Sequence, residues 1–213
     1  METVLEGTNL TKRVFWLVKL RWMAIGLLIS ATFVAANVFK IHIPQPTLYF
    51  IALCIAIYNS ILFLSLQRII KFHTGDKNSA LSNIIILQVS ADLLILTTIL
   101  YFSGGIESPF SFYFVFHMII ASMLLSRALS YLQATLAVIL FGLMLLLEYL
   151  GIMHHYSLHG FIDHDLYKNG KFIISLFFVF TTTLYLVVYM TTTIIAQLRN
   201  CLLYTSPSPR DRS

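Results

Sequence analysis

Two carboxylates interrupt otherwise apolar stretches of this 213-residue chain: Asp92 in QVSADLLILTTILYF and Glu148 in FGLMLLLEYLG. An ionised carboxylate in hydrocarbon costs about 2.5–3.5 kcal/mol on insertion scales, so each must be paired, protonated or turned toward the protein interior. Gln88 lies four residues before Asp92, on the same helical face, and is placed to share a hydrogen bond with it. Asp92 therefore reads either as a polar clasp between helices or as a ligand or proton site. His117 has the same two readings: a hydrogen bond to a neighbouring helix, or contact with a ligand. Between them runs Ser103-Gly104-Gly105-Ile106-Glu107-Ser108-Pro109-Phe110. Two glycines permit a sharp helix exit and Pro109 restarts the chain, which predicts a tight hairpin. Counted along the helices, Asp92 lies about 18 Å below Gly104 and His117 about 10 Å below Phe110. Glu148 lies at a depth close to the glycine loop.

Tyr101, Phe110, Phe112, Tyr113 and Phe116 cluster around this hairpin. They could line a site for a flat ligand, or form the aromatic belt expected at a membrane interface. Further on, HHYSLHGFIDHDLYKNG holds His154, His155, His159, His164, Asp163 and Asp165. These are metal-ligand types, but the spacing matches no established zinc pattern, so no metal site is assigned; the stretch reads as a solvated loop, with a metal or pH sensor as the alternative. Thr181–Thr183 and Thr191–Thr193 share a helical face and read as hydroxyls bonded back to their own helix or as a polar seam between helices. No catalytic residue is assigned: there is no P-loop, no nucleotide-binding glycine box and no nucleophile with a base, and His73 sits in a short loop.

The elements that must position these groups follow from hydropathy. The chain is 58% hydrophobic and 11% charged, with a mean hydropathy of +0.83, whereas soluble domains carry about 25% charged residues. A water-soluble enzyme is excluded. Runs poor in charge predict six spans at about 22–39, 47–66, 84–102, 110–125, 129–152 and 172–196. The fourth is short, and either continues past Ser126 with Arg127 snorkelling or is a shallow piece. Gly26 and Ser30, four apart, allow close helix contact on the first span. A cleaved signal peptide is disfavoured there, because a 21-residue charged lead is long and five spans follow. Cys54 reads as an apolar filler, and no disulfide framework is implied.

Orientation follows from lysine and arginine. Lys12, Arg13, Lys19, Arg21, Arg68, Lys71, Lys77, Arg127 and Arg199 fall on one side; Lys40, Lys168 and Lys171 fall on the other. The positive-inside rule then places both termini in the cytoplasm. The net charge of +5 is thereby explained by topology, without a nucleic-acid partner.

Residues 201–213, CLLYTSPSPRDRS, change character to a polar, Pro/Ser-rich tail that reads as disordered. Cys201–Asp211 resembles the in-frame translation of a transposase adaptor used to prepare sequencing libraries. That resemblance implies a non-native tail and a natural chain that continues after about Asn200.

The hairpin and its flanks carry a second resemblance. Gly104, Gly105, Pro109 and Phe110 match the GGxxNPF loop between the third and fourth helices of bacterial sensor histidine kinases with six-helix membrane input regions, among them redox-responding regulators; Ser108 replaces the asparagine. Similarity extends over roughly residues 15–200, through Arg21-Trp22, the acidic third span and Glu148-Tyr149-Leu150-Gly151. The expected fold is an all-α membrane protein, a six-transmembrane-helix bundle with residues 1–21 as a cytoplasmic segment and 22–200 as the sensor domain. The resemblance implies an input domain truncated before the phospho-acceptor and ATP-binding domains of a two-component kinase. It also implies a bacterial cytoplasmic-membrane location, a homodimer and a downstream response regulator. In the redox-responding members the loop is associated with ubiquinone. It thus marks Gly104, Gly105, Glu107, Pro109 and Phe110 as a quinone or signal site, with Asp92, His117 and Glu148 as polar candidates. The competing expectation is a complete small carrier or scaffold protein; a carrier should show inverted repeats or interrupted helices, and none is visible.

Overall fold

A computed structural model describes residues 2–41, 43–72, 77–156 and 166–205. With no water in the bilayer core, each backbone N–H and C=O must find a partner inside its own segment, and the chain answers with helices. They are α1 (Glu2–Asn37), α2 (Gln45–Phe72), α3 (Lys77–Phe102), α4 (Tyr113–Leu124), α5 (Arg127–Tyr149) and α6 (Gly170–Thr205), with no strand among the described residues. Five carry apolar stretches long enough to cross a bilayer: Val14–Asn37, Gln45–Arg68, Ser82–Phe102, Arg127–Tyr149 and Gly170–Leu198.

The remaining apolar helix is the short one. It opens with a 3-10 turn, Pro109–Phe112, and continues as α4. At about 2.0 Å per residue for the turn and 1.5 Å for the helix it reaches about 26 Å, just short of a hydrocarbon core of about 30 Å. It does not continue past Ser126. The chain turns at Leu125, and Ser126 caps α5, its hydroxyl accepting from the Leu129 amide and its carbonyl from the Ser130 amide.

Side-chain pairs give the up-and-down order. Phe15 meets Phe63 while Arg21 meets Asn59, so α1 and α2 run antiparallel. Thr135 meets Tyr185 while Gly142 lies against Phe177, so α5 and α6 do too. Ser90 meets Gln133 while Gly105 lies against Glu148, and Arg21 meets Asp92 while Ile25 and Leu28 pack with Ile95 and Ile99, so α1, α3 and α5 run parallel.

Lipid tails are as apolar as leucine, so close packing and polar contacts, rather than burial from water, hold such a bundle together. The centre lies among α3 to α6. Ala121, Ala134 and Ala137 are fully buried and let the backbones approach, while Phe180 stacks on Phe141 at 4.0 Å and meets Phe114 edge-on at 5.4 Å. Gly142 has no room for a side chain: a Cβ there would lie 2.7 Å from the Phe177 ring. The α1–α2 pair docks through a smaller cluster, Ile25, Leu28, Ala52 and Ile55. Gly26 and Ser30 do not contribute to it, since both are exposed and nothing lies within 4 Å of a Cβ built on Gly26.

Two boundaries differ from the hydropathy reading. α1 does not begin at the apolar run: it is one unbroken helix from Glu2 through Lys19, Arg21 and the run that follows, to Asn37. The sixth helix runs beyond Asn200 to Thr205, so Cys201–Thr205 are helical rather than a disordered tail; residues 206–213 lie outside the described residues.

Candidate functional site

The hairpin after α3 is built as its composition requires. Gly104 has φ 110° and Gly105 φ 52°, left-handed values that end the helix and that L side chains adopt only at a cost. The Glu107 amide then donates to the Gly104 carbonyl at 2.9 Å, closing a 3-10 turn over Gly105–Glu107. Ser108 stands where the resembled loop has asparagine. Its hydroxyl accepts from the Phe110 amide at 3.3 Å and pairs with Ser103 Oγ at 3.0 Å. Serine and asparagine are both good caps, so this turn keeps its geometry with the substitution.

The turn brings together residues far apart in sequence. Glu148, only 1% exposed, sits directly against Gly105, whose missing side chain leaves the space for its carboxylate. His155 lies between two carboxylates, Nδ1 3.5 Å from Glu148 Oε2 and Nε2 3.6 Å from Glu107 Oε1. These are ion-pair distances, longer than hydrogen bonds. Tyr167 stacks on the imidazole at 4.1 Å, and Lys168 lies over the other aromatic at 5.1 Å from the Tyr167 centroid. Tyr101 fixes the approach by donating to the His154 carbonyl at 2.7 Å. Two acids and one imidazole in a buried pocket form an arrangement that holds a proton.

Burial by itself would lower the pKa of His155, but the Glu148 and then the Glu107 carboxylate outweigh it and hold it above the ordinary value. The folded value being raised, this ring stabilises the turn fully below the unfolded value of about 6.5, and that contribution is lost as pH rises through the folded value. Amide hydrogen exchange at Ser103–Ser108 in lipid nanodiscs, corrected for intrinsic base catalysis, should therefore quicken on alkalinisation. A flat corrected profile would contradict the assignment, and His155→Gln should remove the pH dependence.

Asp92 and His117 belong elsewhere. Arg21 grips Asp92 with two parallel hydrogen bonds, Nε to Oδ1 at 2.9 Å and an Nη to Oδ2 at 2.7 Å. Its other Nη donates to Asn59 Oδ1 at 3.1 Å, and Asn59 donates onward to the Val18 carbonyl at 3.0 Å. One guanidinium thus ties α1, α2 and α3. The expected Gln88–Asp92 bond is not made, because Arg21 is a charged, bidentate partner and the Gln88 amide, also buried, turns away without a hydrogen bond among the described residues. His117 Nε2 donates to the Val89 carbonyl at 3.2 Å, joining α4 to α3.

The structure thus divides the expected site. Gly104, Gly105, Glu107 and Glu148 gather at the hairpin end; Asp92 and His117 lie toward the middle. Pro109 starts the second 3-10 turn, and Phe110 packs half-buried beside Tyr113 at 5.6 Å. Phe112 and Phe116 are exposed on the bundle surface. Thr192 bonds back to the Val188 carbonyl at 2.8 Å, while the buried Oγ1 of half-buried Thr181 has no hydrogen bond among the described residues. His155 went unselected among four loop histidines; its adjacency to the helix that carries Glu148 was the available signal. His159, Asp163, His164, Asp165 and His73 lie outside the described residues. No group of three or more metal-ligating side chains suited to an ion occurs among the described residues.

Fold and site together define a multi-pass helical membrane domain with polar groups gathered at one end and a partly buried ion pair deeper within. The chain belongs to the family of PilS-like transmembrane domains, a six-span family whose model matches residues 5–201. Searches of curated proteins and of solved structures each found no match.

Proposed function

We propose that this chain is the membrane input domain of a two-component sensor histidine kinase, dimeric, set in the bacterial cytoplasmic membrane with both termini in the cytoplasm. The observation that carries the reading is α6. It begins at Gly170, directly after the Leu166–Lys168 turn that holds Tyr167 on His155, and is unbroken through Asn200. At 1.5 Å per residue that stretch is about 46 Å, well beyond a hydrocarbon core of about 30 Å. A change in charge or packing around Glu107, Glu148 and His155 at the hairpin end can therefore bias a rigid element that emerges at the opposite end. Two helix arrangements of similar energy suffice to pass such a bias onward. The phospho-acceptor and ATP-binding domains would follow α6, with a response regulator as their substrate.

The test begins with the source DNA. Kinase-coding sequence in frame after about Asn200 supports the reading, and a stop codon directly after Ser213 favours a self-contained carrier or scaffold. With the parent protein in proteoliposomes, Glu148→Gln should shift the pH dependence of autophosphorylation; an unchanged profile would remove the hairpin cluster from signalling. The resemblance to redox-responding kinases makes a quinone the first ligand to try at this turn. Quinone-dependent changes that survive both Phe110→Ala and Glu107→Ala would dismiss it.

A further inference from the structure

α1 and α4 both pack against α3, and the gap between them is a cavity of about 360 Å³. Small-molecule sites span roughly 300–1,000 Å³. Its walls are apolar, with Leu28, Ile95 and Ile99 toward the hairpin end, except where Arg21, Asp92 and His117 come to it at nearly one level. Met23 and Phe116 line it too and are exposed on the bundle surface, so it opens sideways, where lipid would lie.

The polar groups have bonding capacity to spare. A guanidinium has five N–H donors, and the bonds to Asp92 and Asn59 use three. The Asp92 carboxylate, with about four lone-pair sites, accepts two bonds from Arg21. Because a carbonyl can only accept, His117 Nε2 carries the hydrogen given to Val89, and in the neutral ring Nδ1 keeps a free lone pair. Arg21 and Asp92 cancel each other's charge, so neither a carboxylate nor an ammonium head would find a counter-charge. A hydroxyl can use both kinds of leftover capacity: it accepts from an Arg21 N–H and donates to His117 Nδ1 or Asp92. Beyond these three groups the lining, with Ile25, Leu28, Ile95, Ile99 and Ile120, is apolar, which suits the body of a lipid-soluble ligand.

From this we infer that the cavity binds a membrane-dissolved molecule with an apolar body and a neutral hydroxyl head, seated at Arg21, Asp92 and His117. The inference is independent of the hairpin cluster and of the kinase reading.

The test uses the 213-residue chain in lipid nanodiscs with three photoactivatable probes of equal length: a long-chain primary alcohol, the alkane and the carboxylic acid. Labelled residues are mapped by mass spectrometry. The alcohol should label the segments 17–28, 92–99 and 113–120 about fivefold to tenfold more than the alkane, the factor that one retained hydrogen bond supplies. The acid should do no better than the alkane. His117→Phe should lower the alcohol's preference, with Arg21 and Asp92 keeping part of it. Ala24→Phe, at the exposed rim, should block labelling of these segments while helicity by circular dichroism stays unchanged. Equal labelling by alcohol and alkane in the parent chain, or labelling indifferent to Ala24→Phe in a folded variant, would overturn the site.

Discussion

Replacing Asp92 with alanine should lower the stability of the bundle by about 3 kcal/mol, the low end of what leaving one half of a buried ion pair behind costs, because the Asp92 side chain is itself 19% exposed. Arg21, 6% exposed, would keep Asn59 and the face of Tyr58, 5.2 Å away, but no opposite charge. The double replacement Arg21→Met with Asp92→Leu should recover most of the loss, because removing both charges also removes the cost of burying them. Gln133→Ala provides the scale. It deletes a neutral contact to Ser90 made at 2.9 Å, and such interhelical hydrogen bonds average only about 0.6 kcal/mol in membranes. Equilibrium unfolding in mixed micelles, followed by circular dichroism, measures all three. A double variant as unstable as Asp92→Ala would show that the charges are not coupled.

Gly105→Ala is the second large effect, expected at about 2–4 kcal/mol from two causes. A non-glycine residue at φ 52° is strained, and its Cβ would collide with the Glu148 carboxylate. Glu148 cannot yield freely, since it lies on α5 and is held against His155. Gly151→Ala separates the causes. At φ 70° with nothing within 4 Å of its Cβ, it carries the backbone strain alone, about 1–2 kcal/mol. Shortening Glu148 to alanine in the Gly105→Ala background should then cost less than the two single changes together. Strict additivity would mean that the carboxylate and the glycine do not meet.

The hairpin was legible because its signals are local. Paired glycines and a proline act within six residues, and no distant contact is needed to set their backbone angles. The partner of Arg21 was illegible for the opposite reason. Reading along the chain, a cation ends an apolar run, and Asp92 finds Gln88 as its nearest partner. What Arg21 meets is a carboxylate 71 positions away on another helix. His155 was likewise one histidine among several until the end of α5 placed it beside Glu148 and the hairpin placed Glu107 opposite.

By itself, the sequence determined an all-helical, six-span membrane domain and the sharp turn after the third helix. Lipid leaves the backbone no other way to satisfy its hydrogen bonds, and hydropathy and turn chemistry are written residue by residue. The tertiary structure alone decided which polar side chains meet: Arg21 with Asp92 and Asn59, Glu107 with His155 and Glu148, and His117 with the α3 backbone. Those pairings depend on how far each helix is rotated about its axis and slid against its neighbours. That setting comes from packing across the whole bundle, through contacts such as Phe141 on Phe180 and Gly142 under Phe177.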